Sequence, residues 1–390
     1  MDFSIPEEYK MLRESVRRFV EDELLPLEKE YSQEHDIPED VRQRLQQKAK
    51  ELGFWAMDIP EAYGGGGVGP LGMCFVYEEL AKCNVPAFRA ASVFSPFLGP
   101  ILFKLNDAQK EKYLYPVIRG EKRTCFALTE ANGGSDPSQM QTVARRDGDN
   151  YIINGTKIFI TGADKADFIQ LFALTDKEKR SHGGVTCFLI DKDTPGVSLG
   201  QNFDLLSPDR PWEVIFNDVV VSKEQIAGGE GQGFALSQEF LNYGRLQHGP
   251  KAVGRAERAL KLATEFAKER VTFGQPLASR QAIQWMIADS AVEIHATRMM
   301  VYHAAWKAEQ GMNFQQEASM VKLYADEMLN RVIDRAIQIL GGIGLSKEYP
   351  LEVMFRDARS RRITEGSSEI QRHIISRNIL RDLRYIEYSG

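Results

Sequence analysis

Cysteine is scarce in this chain of 390 residues: the four present, Cys74, Cys83, Cys125 and Cys187, form no CxxC pair. Sparse, unpatterned cysteine argues against a disulfide framework and suits a reducing cytosol, so a cytoplasmic location is expected. The six histidines include no HExxH, and no Cys/His cluster has the spacing of metal ligands. No structural or catalytic metal is therefore expected. Positive charge is not in excess either. A net charge of −6 and a pI near 5.7 leave no basic stripe of the kind that binds nucleic acid. The opening "MDFSIPEEYKMLRESVRRFVEDELLPLE" is a mixed-charge amphipathic pattern, without an apolar signal core or the acid-poor composition of a transit peptide. A clean membrane-spanning run is missing too. "NVPAFRAASVFSPFLGPILF", Asn84 to Phe103, is broken by three prolines and Arg89, and reads as a buried, interrupted helical segment. Neither an internal repeat nor a low-complexity tail is found.

What is present is apolar material, 43% of residues, enough for two or three domains. Residues 1–121 read as helices, with turns at "EAYGGGGVGP" and "FSPFLGP". The period changes after Lys122. "YIINGTKIFITG" reads as two strands around an Asn154-Gly155 hairpin turn, and "DFIQLFALT", "GVTCFLIDK" and "WEVIFNDVVV" continue the β pattern. From about residue 229 long helices return, with Ile283, Ile287, Ala291 and Ile294 at helical spacing. The expected architecture is mostly α with a central β domain, divided at 1–121, 122–228 and 229–390.

Several short stretches invite a chemical reading, and each has an ordinary one. "CFALTEANGGSDPSQMQT", Cys125 to Thr142, is a strand opening into hydroxyls and glycines. Backbone N–H groups there can approach an anion or a polar ring edge, but a plain loop would look the same. "ERVTFGQPL" reads as a helix C-cap with Gly274 past it, and "QILGGIGL" as a helix stop. "GGEGQGF", Gly228 to Phe234, has the wrong spacing for a dinucleotide fingerprint and no βαβ unit around it. "RRITEGSSEIQR" places Glu365 in a cap or turn before a helix from Ser368 to Leu383.

Taken in order, "LTEANGGSD", "NGTKIFIT", "RVTFG", "QILGG" and "EGSSEIQR" closely resemble the acyl-CoA dehydrogenase family of flavoenzymes, over nearly the whole chain. The resemblance implies an N-terminal helical domain, a middle β-barrel domain and a C-terminal four-helix bundle, with FAD held between domains and completed by a neighbouring subunit. Phe126, Leu128, Thr129, Gly134, Ser135, Phe159 and Thr161 would meet the flavin. Arg270, Thr272, Phe273, Gln281, Gln338, Gly341 and Gly342 would reach the adjacent subunit's FAD, and Ser367 would close the site. Glu369 replaces a common glutamine near the cofactor. Ser135 and Arg245 fit the family's CoA-contacting positions, and Glu365 matches its catalytic base. The implied partners are an acyl-CoA, an electron-transfer flavoprotein and further copies of the chain, as a dimer or homotetramer.

The chemistry accounts for these residue types. Desaturating a thioester needs a base for the α-hydrogen and a hydride acceptor for the β-hydrogen, which no side chain supplies. Burial raises a carboxyl pKa by up to ~3–5 units, towards the value a general base needs. In the family the thioester oxygen accepts a bond from the base's own N–H, and Gly366 permits that close approach. A minority of members carry the base one residue before Arg245; Gly244 stands there and cannot titrate. Two departures bear on substrate. His248 lies one helical turn after Gly244, where fatty-acyl members carry a small apolar residue, and Arg89 aligns near the pocket floor. A buried Arg89 requires an anionic partner. The expected substrate is thus short, branched or polar, including acyl chains that end in an acid. Two other readings fit the same scaffold: an oxygen-using oxidase or monooxygenase, and a non-catalytic assembly protein.

Overall fold

A computed structural model describes residues 4–85 and 92–383. Arg89 falls outside the described residues. Helices α1 (Glu7–Phe19), α2 (Glu39–Glu51) and α3 (Pro70–Leu80) make the N-terminal layer. The first two bury one stripe each, Val16 and Phe19 on α1 and Leu45 and Ala49 on α2. By contrast α3 is buried all round, as a helix at the centre of a domain must be. Its two buried acids are paired: Glu78 accepts from Arg298 at 3.1 Å and Glu79 from Arg13 at 2.8 Å. In the described part of the apolar stretch that resembled a membrane span, Val93, Phe94, Leu98, Ile101 and Leu102 are buried, and a short 3-10 turn spans Pro100–Lys104. No helix among the described residues is long and apolar enough to cross a membrane.

The middle of the chain is an eight-stranded sheet built from β1 (Thr124–Ala127), β2 (Val143–Asp147), β3 (Asn150–Ile160), β4 (Phe168–Leu174), β5 (Val185–Asp191), β6 (Val197–Asn202), β7 (Trp212–Ser222) and β8 (Ile226–Ala227). Its order is β6-β7-β3-β2-β4-β5-β8, with β1 parallel to β4. The expected hairpin turn at Asn154-Gly155 is not there. β3 runs straight through both residues, and the turn falls at Gly148-Asp149, between the paired Asp147 and Asn150. Asn154 instead marks a bulge against β7, exchanging two 2.9 Å hydrogen bonds with Asp218. Gly155 is required by crowding, since a Cβ there would lie 2.7 Å from Thr142 Cα.

The C-terminal bundle packs α4 (Gly233–Glu269), α5 (Gln281–Glu309), α6 (Gln315–Leu340) and α8 (Ser368–Arg381), with α7 (Pro350–Arg361) alongside α6. Small residues let α4 sit deep among its neighbours. A Cβ at Gly249 would come within 2.4 Å of Val301 on α5 and 2.5 Å of Val321 on α6, and one at Gly254 within 1.9 Å of the Glu78 carbonyl on α3. Gly274 does not cap α4, as its sequence suggested. The helix stops at Glu269, and Phe273 and Gly274, with φ of 51° and 77°, form the two-residue turn between β9 (Val271–Thr272) and β10 (Gln275–Pro276).

Candidate active site

Between α7 and α8 the chain makes a tight corner. Glu365 and Gly366 both adopt left-handed backbone, φ 55° and 94°, and Ser367 caps α8 by accepting from Ile370 N at 3.4 Å. A non-glycine residue in that region is strained unless its surroundings fix it. Here buried side chains do so. Gln371 Nε2 donates to the Gly366 carbonyl at 3.0 Å and the Glu365 carbonyl at 3.4 Å, and Arg245 Nε donates to the same Glu365 carbonyl at 3.3 Å. Gly366 is needed because a Cβ would sit 2.8 Å from Gln371 Nε2.

The corner turns the Glu365 side chain inward. Its Oε2 is buried without a hydrogen-bond partner among the described residues, although the side chain as a whole keeps 34% of its exposure. That oxygen lies against α4: a Cβ on Gly244 would be 2.1 Å from Oε2 and 2.9 Å from Cδ. The turn-and-cap reading and the inward-carboxylate reading are therefore both true of the same residues.

Charge surrounds the carboxylate. His248 Nε2 stands 3.7 Å from Oε2, and His248 Nδ1 lies 3.0 Å and 3.2 Å from the two oxygens of buried Asp326. Lys322 Nζ is 3.3 Å from Asp326 and donates to the Arg361 carbonyl at 2.9 Å. Burial alone would raise the Glu365 pKa, but His248, then Lys251 and Lys322, pull it below the usual carboxylate value. Burial would lower His248, yet Asp326 and Glu365 outweigh it and hold the imidazole above its ordinary value. Lys251 is pushed down to about 8 by burial, with Arg361 adding to the effect. The resting site thus holds an anion ready to accept a proton, and a ligand that sheds water from the open side would make it more basic.

The β domain reaches this place through α4. Phe126 on β1 stacks on Phe240 of α4, with ring centroids 4.2 Å apart and 13° between planes, and Gly244 follows one turn later. The glycine-bearing loop after β1 is pinned from beneath. Glu130 accepts from Gln141 N at 2.6 Å, Thr142 N at 3.0 Å and Lys157 Nζ at 2.7 Å, while Lys157 also donates to the Leu128 carbonyl at 3.0 Å. Burial drives Lys157 down to about 8, with Glu130 opposing that shift. Lys157→Met would leave Glu130 buried without its counter-charge, held only by the Gln141 and Thr142 amides. It is expected to cost about 3–5 kcal/mol, read from chemical denaturation, and a cost under about 1 kcal/mol would contradict the role given to this pair.

The structure brings some of the expected cofactor residues together. Ile158 N donates to the Thr129 carbonyl at 2.9 Å, so Phe159, at φ 57° and exposed, stands beside the loop that carries Leu128, Thr129, Gly134 and Ser135, two residues before Thr161. A Cβ at Gly134 would meet nothing within 4 Å, which leaves open space over that loop. Exposed aromatic and glycine surface beside a fixed hydroxyl-bearing loop fits a flat ring with polar edges. Arg270, Thr272, Phe273 and Gln281 lie instead around the β9–β10 hairpin, and Gln338, Gly341 and Gly342 at the end of α6. Glu369 is exposed in the first turn of α8. Phe273 is 98% exposed. His248, expected to contact the acyl chain, turns both ring nitrogens to carboxylates. Sequence reasoning missed Asp326, Lys322, Lys251 and Phe240.

Comparison with known proteins covers nearly the whole chain. Residues 6–121, 125–219 and 231–380 match, respectively, the families described as acyl-CoA dehydrogenase N-terminal, middle and C-terminal domain. Among curated relatives, (R)-benzylsuccinyl-CoA dehydrogenase of Thauera aromatica is 38% identical, covering 98% of each chain. The mitochondrial short-chain specific acyl-CoA dehydrogenase of Rattus norvegicus is 37% identical over 97% of this chain and 92% of its own. Among solved structures, butyryl-CoA dehydrogenase from Megasphaera elsdenii superposes with a TM-score of 0.89 at 35% identity, covering 97% of this chain and 100% of its own.

Proposed function

Since the chain belongs to the acyl-CoA dehydrogenase family of FAD-dependent oxidoreductases, we propose that it desaturates an acyl-CoA thioester between Cα and Cβ, with Glu365 as the base. The observation that carries this reading is the inward Glu365 carboxylate, whose Oε2 is buried and unpartnered beside Gly244. Glu365 takes the α-proton as the Cα–H bond breaks. FAD held there would supply the acceptor that no side chain provides for the β-hydrogen as a hydride, and an electron-transfer flavoprotein would receive the two electrons. Phe126, Leu128, Thr129, Gly134, Ser135, Phe159 and Thr161 would hold the isoalloxazine side, and Ser367 the edge nearest the base. Arg270, Thr272, Phe273, Gln281, Gln338, Gly341, Gly342 and Glu369 would serve the FAD of a neighbouring copy. Exposed apolar side chains on and after the β9–β10 hairpin, Phe273, Trp285 and Val292, support such a homo-oligomer. Ser135 and Arg245 would meet the CoA moiety, and the Gly366 corner leaves room for the thioester.

The substrate is short, branched or acid-bearing. Similarity to proteins named for benzylsuccinyl-CoA and short-chain acyl-CoA supports this, and Arg89, outside the described residues, stays a candidate partner for an acid on the acyl chain by its place in the sequence alone. Anaerobic mixing of the FAD-loaded protein with a panel of acyl-CoAs tests the reading. Bleaching is expected with short, branched or dicarboxylic thioesters. A preference for octanoyl or longer chains would overturn the substrate assignment, and rapid peroxide formation without an acceptor protein would favour an oxidase.

A further inference from the structure

The charged groups behind Glu365 form an arrangement that proton abstraction alone does not explain. Asp326 and His248 are both buried, and they sit on different helices, α6 and α4. Asp326 presents both oxygens to Nδ1, at 3.0 Å and 3.2 Å, which fixes the ring so that Nε2 faces Glu365 Oε2 at 3.7 Å. An oxygen buried with no hydrogen bond is costly, and this one looks at an imidazole nitrogen slightly beyond bonding distance. Such contacts tighten when a ligand closes a site.

We propose that Asp326, His248 and Glu365 act as a carboxylate–imidazole–carboxylate relay, in which Asp326 orients His248 and the imidazolium holds Glu365 as an anion aimed past Gly244. The inference rests on Glu365 being the base. His248 is a positioning residue in this scheme, since it touches Glu365 and not the reacting carbon. No redox or covalent step is added: the Nε2 proton stays on His248, facing Oε2 across 3.7 Å, and the α-proton makes a new O–H bond on Glu365 as the Cα–H bond breaks. Other charges face the pair as well. Lys251 and Arg245 come from α4, Lys322 from α6, and Arg361 and Asp357 from α7, while Asp58 faces Lys251 from the N-terminal domain. Lys322 also pairs with Asp326, at 3.3 Å, but it is the His248 ring, held at Nδ1, that turns a nitrogen towards Glu365 Oε2.

The test is the pH dependence of anaerobic flavin reduction in the FAD-loaded protein. His248→Gln removes the cation but leaves Glu365 buried, so the Glu365 carboxyl must lose its proton at higher pH. The acidic limb of the rate profile is expected to move up by about one pH unit or more, a deficit of about tenfold per unit that shrinks towards alkaline pH. Asp326→Asn should shift the limb in the same direction. The reciprocal readout needs no turnover. Linkage requires that Glu365→Gln lower the His248 pKa, seen by imidazole nitrogen NMR. An unmoved limb, a loss equal at every pH, altered chain-length preference without a pH shift, or a His248 titration indifferent to Glu365→Gln would each overturn the proposal. If Glu365→Gln itself reduces flavin at the normal rate, the base assignment falls first, whatever His248→Gln does.

Discussion

Gly244→Ala is expected to slow flavin reduction about 100-fold while costing little stability. The added methyl would fall 2.1 Å from Glu365 Oε2, with the glycine's other neighbours supplying no closer contact. What must move is therefore the end of a flexible side chain, not a helix backbone. α4 remains as it was, and alanine is the better helix former by roughly 0.8–1.0 kcal/mol. The carboxylate pays instead, because a displacement of about 1 Å at a reacting group costs on the order of 10²-fold. Stopped-flow reduction together with a denaturation midpoint checks both halves. A variant that reduces at the normal rate would mean that Glu365 works from another position. A variant that unfolds would mean that the helix, not the base, is what Gly244 accommodates.

Glu365→Gln carries the largest expected effect, a loss of about 10²–10⁴-fold in reduction rate. The amide matches the carboxylate in shape, and the bonds that shape the corner come from Gln371 and Arg245 to backbone carbonyls, so they survive the change. Ligand binding should persist for the same reason. What disappears is an atom able to take the α-proton, together with the anion that His248, Lys251 and Lys322 surround. The wild-type pH dependence follows from the same charges. In the resting protein the Glu365 pKa is lowered, so its ionised form is retained to lower pH than that of a free glutamate. The stability this contributes is present above the unfolded carboxyl pKa and is lost as pH falls through the folded one.

The helix–sheet–helix order was legible because hydrophobic period changes from 3.6 to 2 and back, a signal that survives ignorance of contacts. Positions fixed by contact were not. Asn154-Gly155 carries the usual two-residue turn signal, yet Gly155 is there because Thr142 passes close by, and the true turn at Gly148-Asp149 carries an equally good signal that local sequence does not rank against it. Gly274 looked like a helix stop because its role as a hairpin turn depends on β9 and β10, each only two residues long. The aim of Glu365 was open on local grounds, since Thr-Glu-Gly-Ser caps a helix whether or not its acid points inward. Resemblance suggested the inward aim, and Gly244 now gives it a steric reason. Asp326 and Lys322 escaped notice for a different cause. An i, i+4 pair of opposite charge on a helix normally reads as a solvated face, and nothing short of the packing of α4 on α6 reveals that both are buried.

The role of Glu365 is tested most directly by anaerobic single-turnover bleaching of wild type and Glu365→Gln, both loaded with FAD and mixed with one short acyl-CoA that each is shown to bind. The wild type should bleach within the turnover time, and the variant should hold its ligand and stay yellow. Equal bleaching by the two proteins would contradict the claim that this carboxylate removes the α-proton.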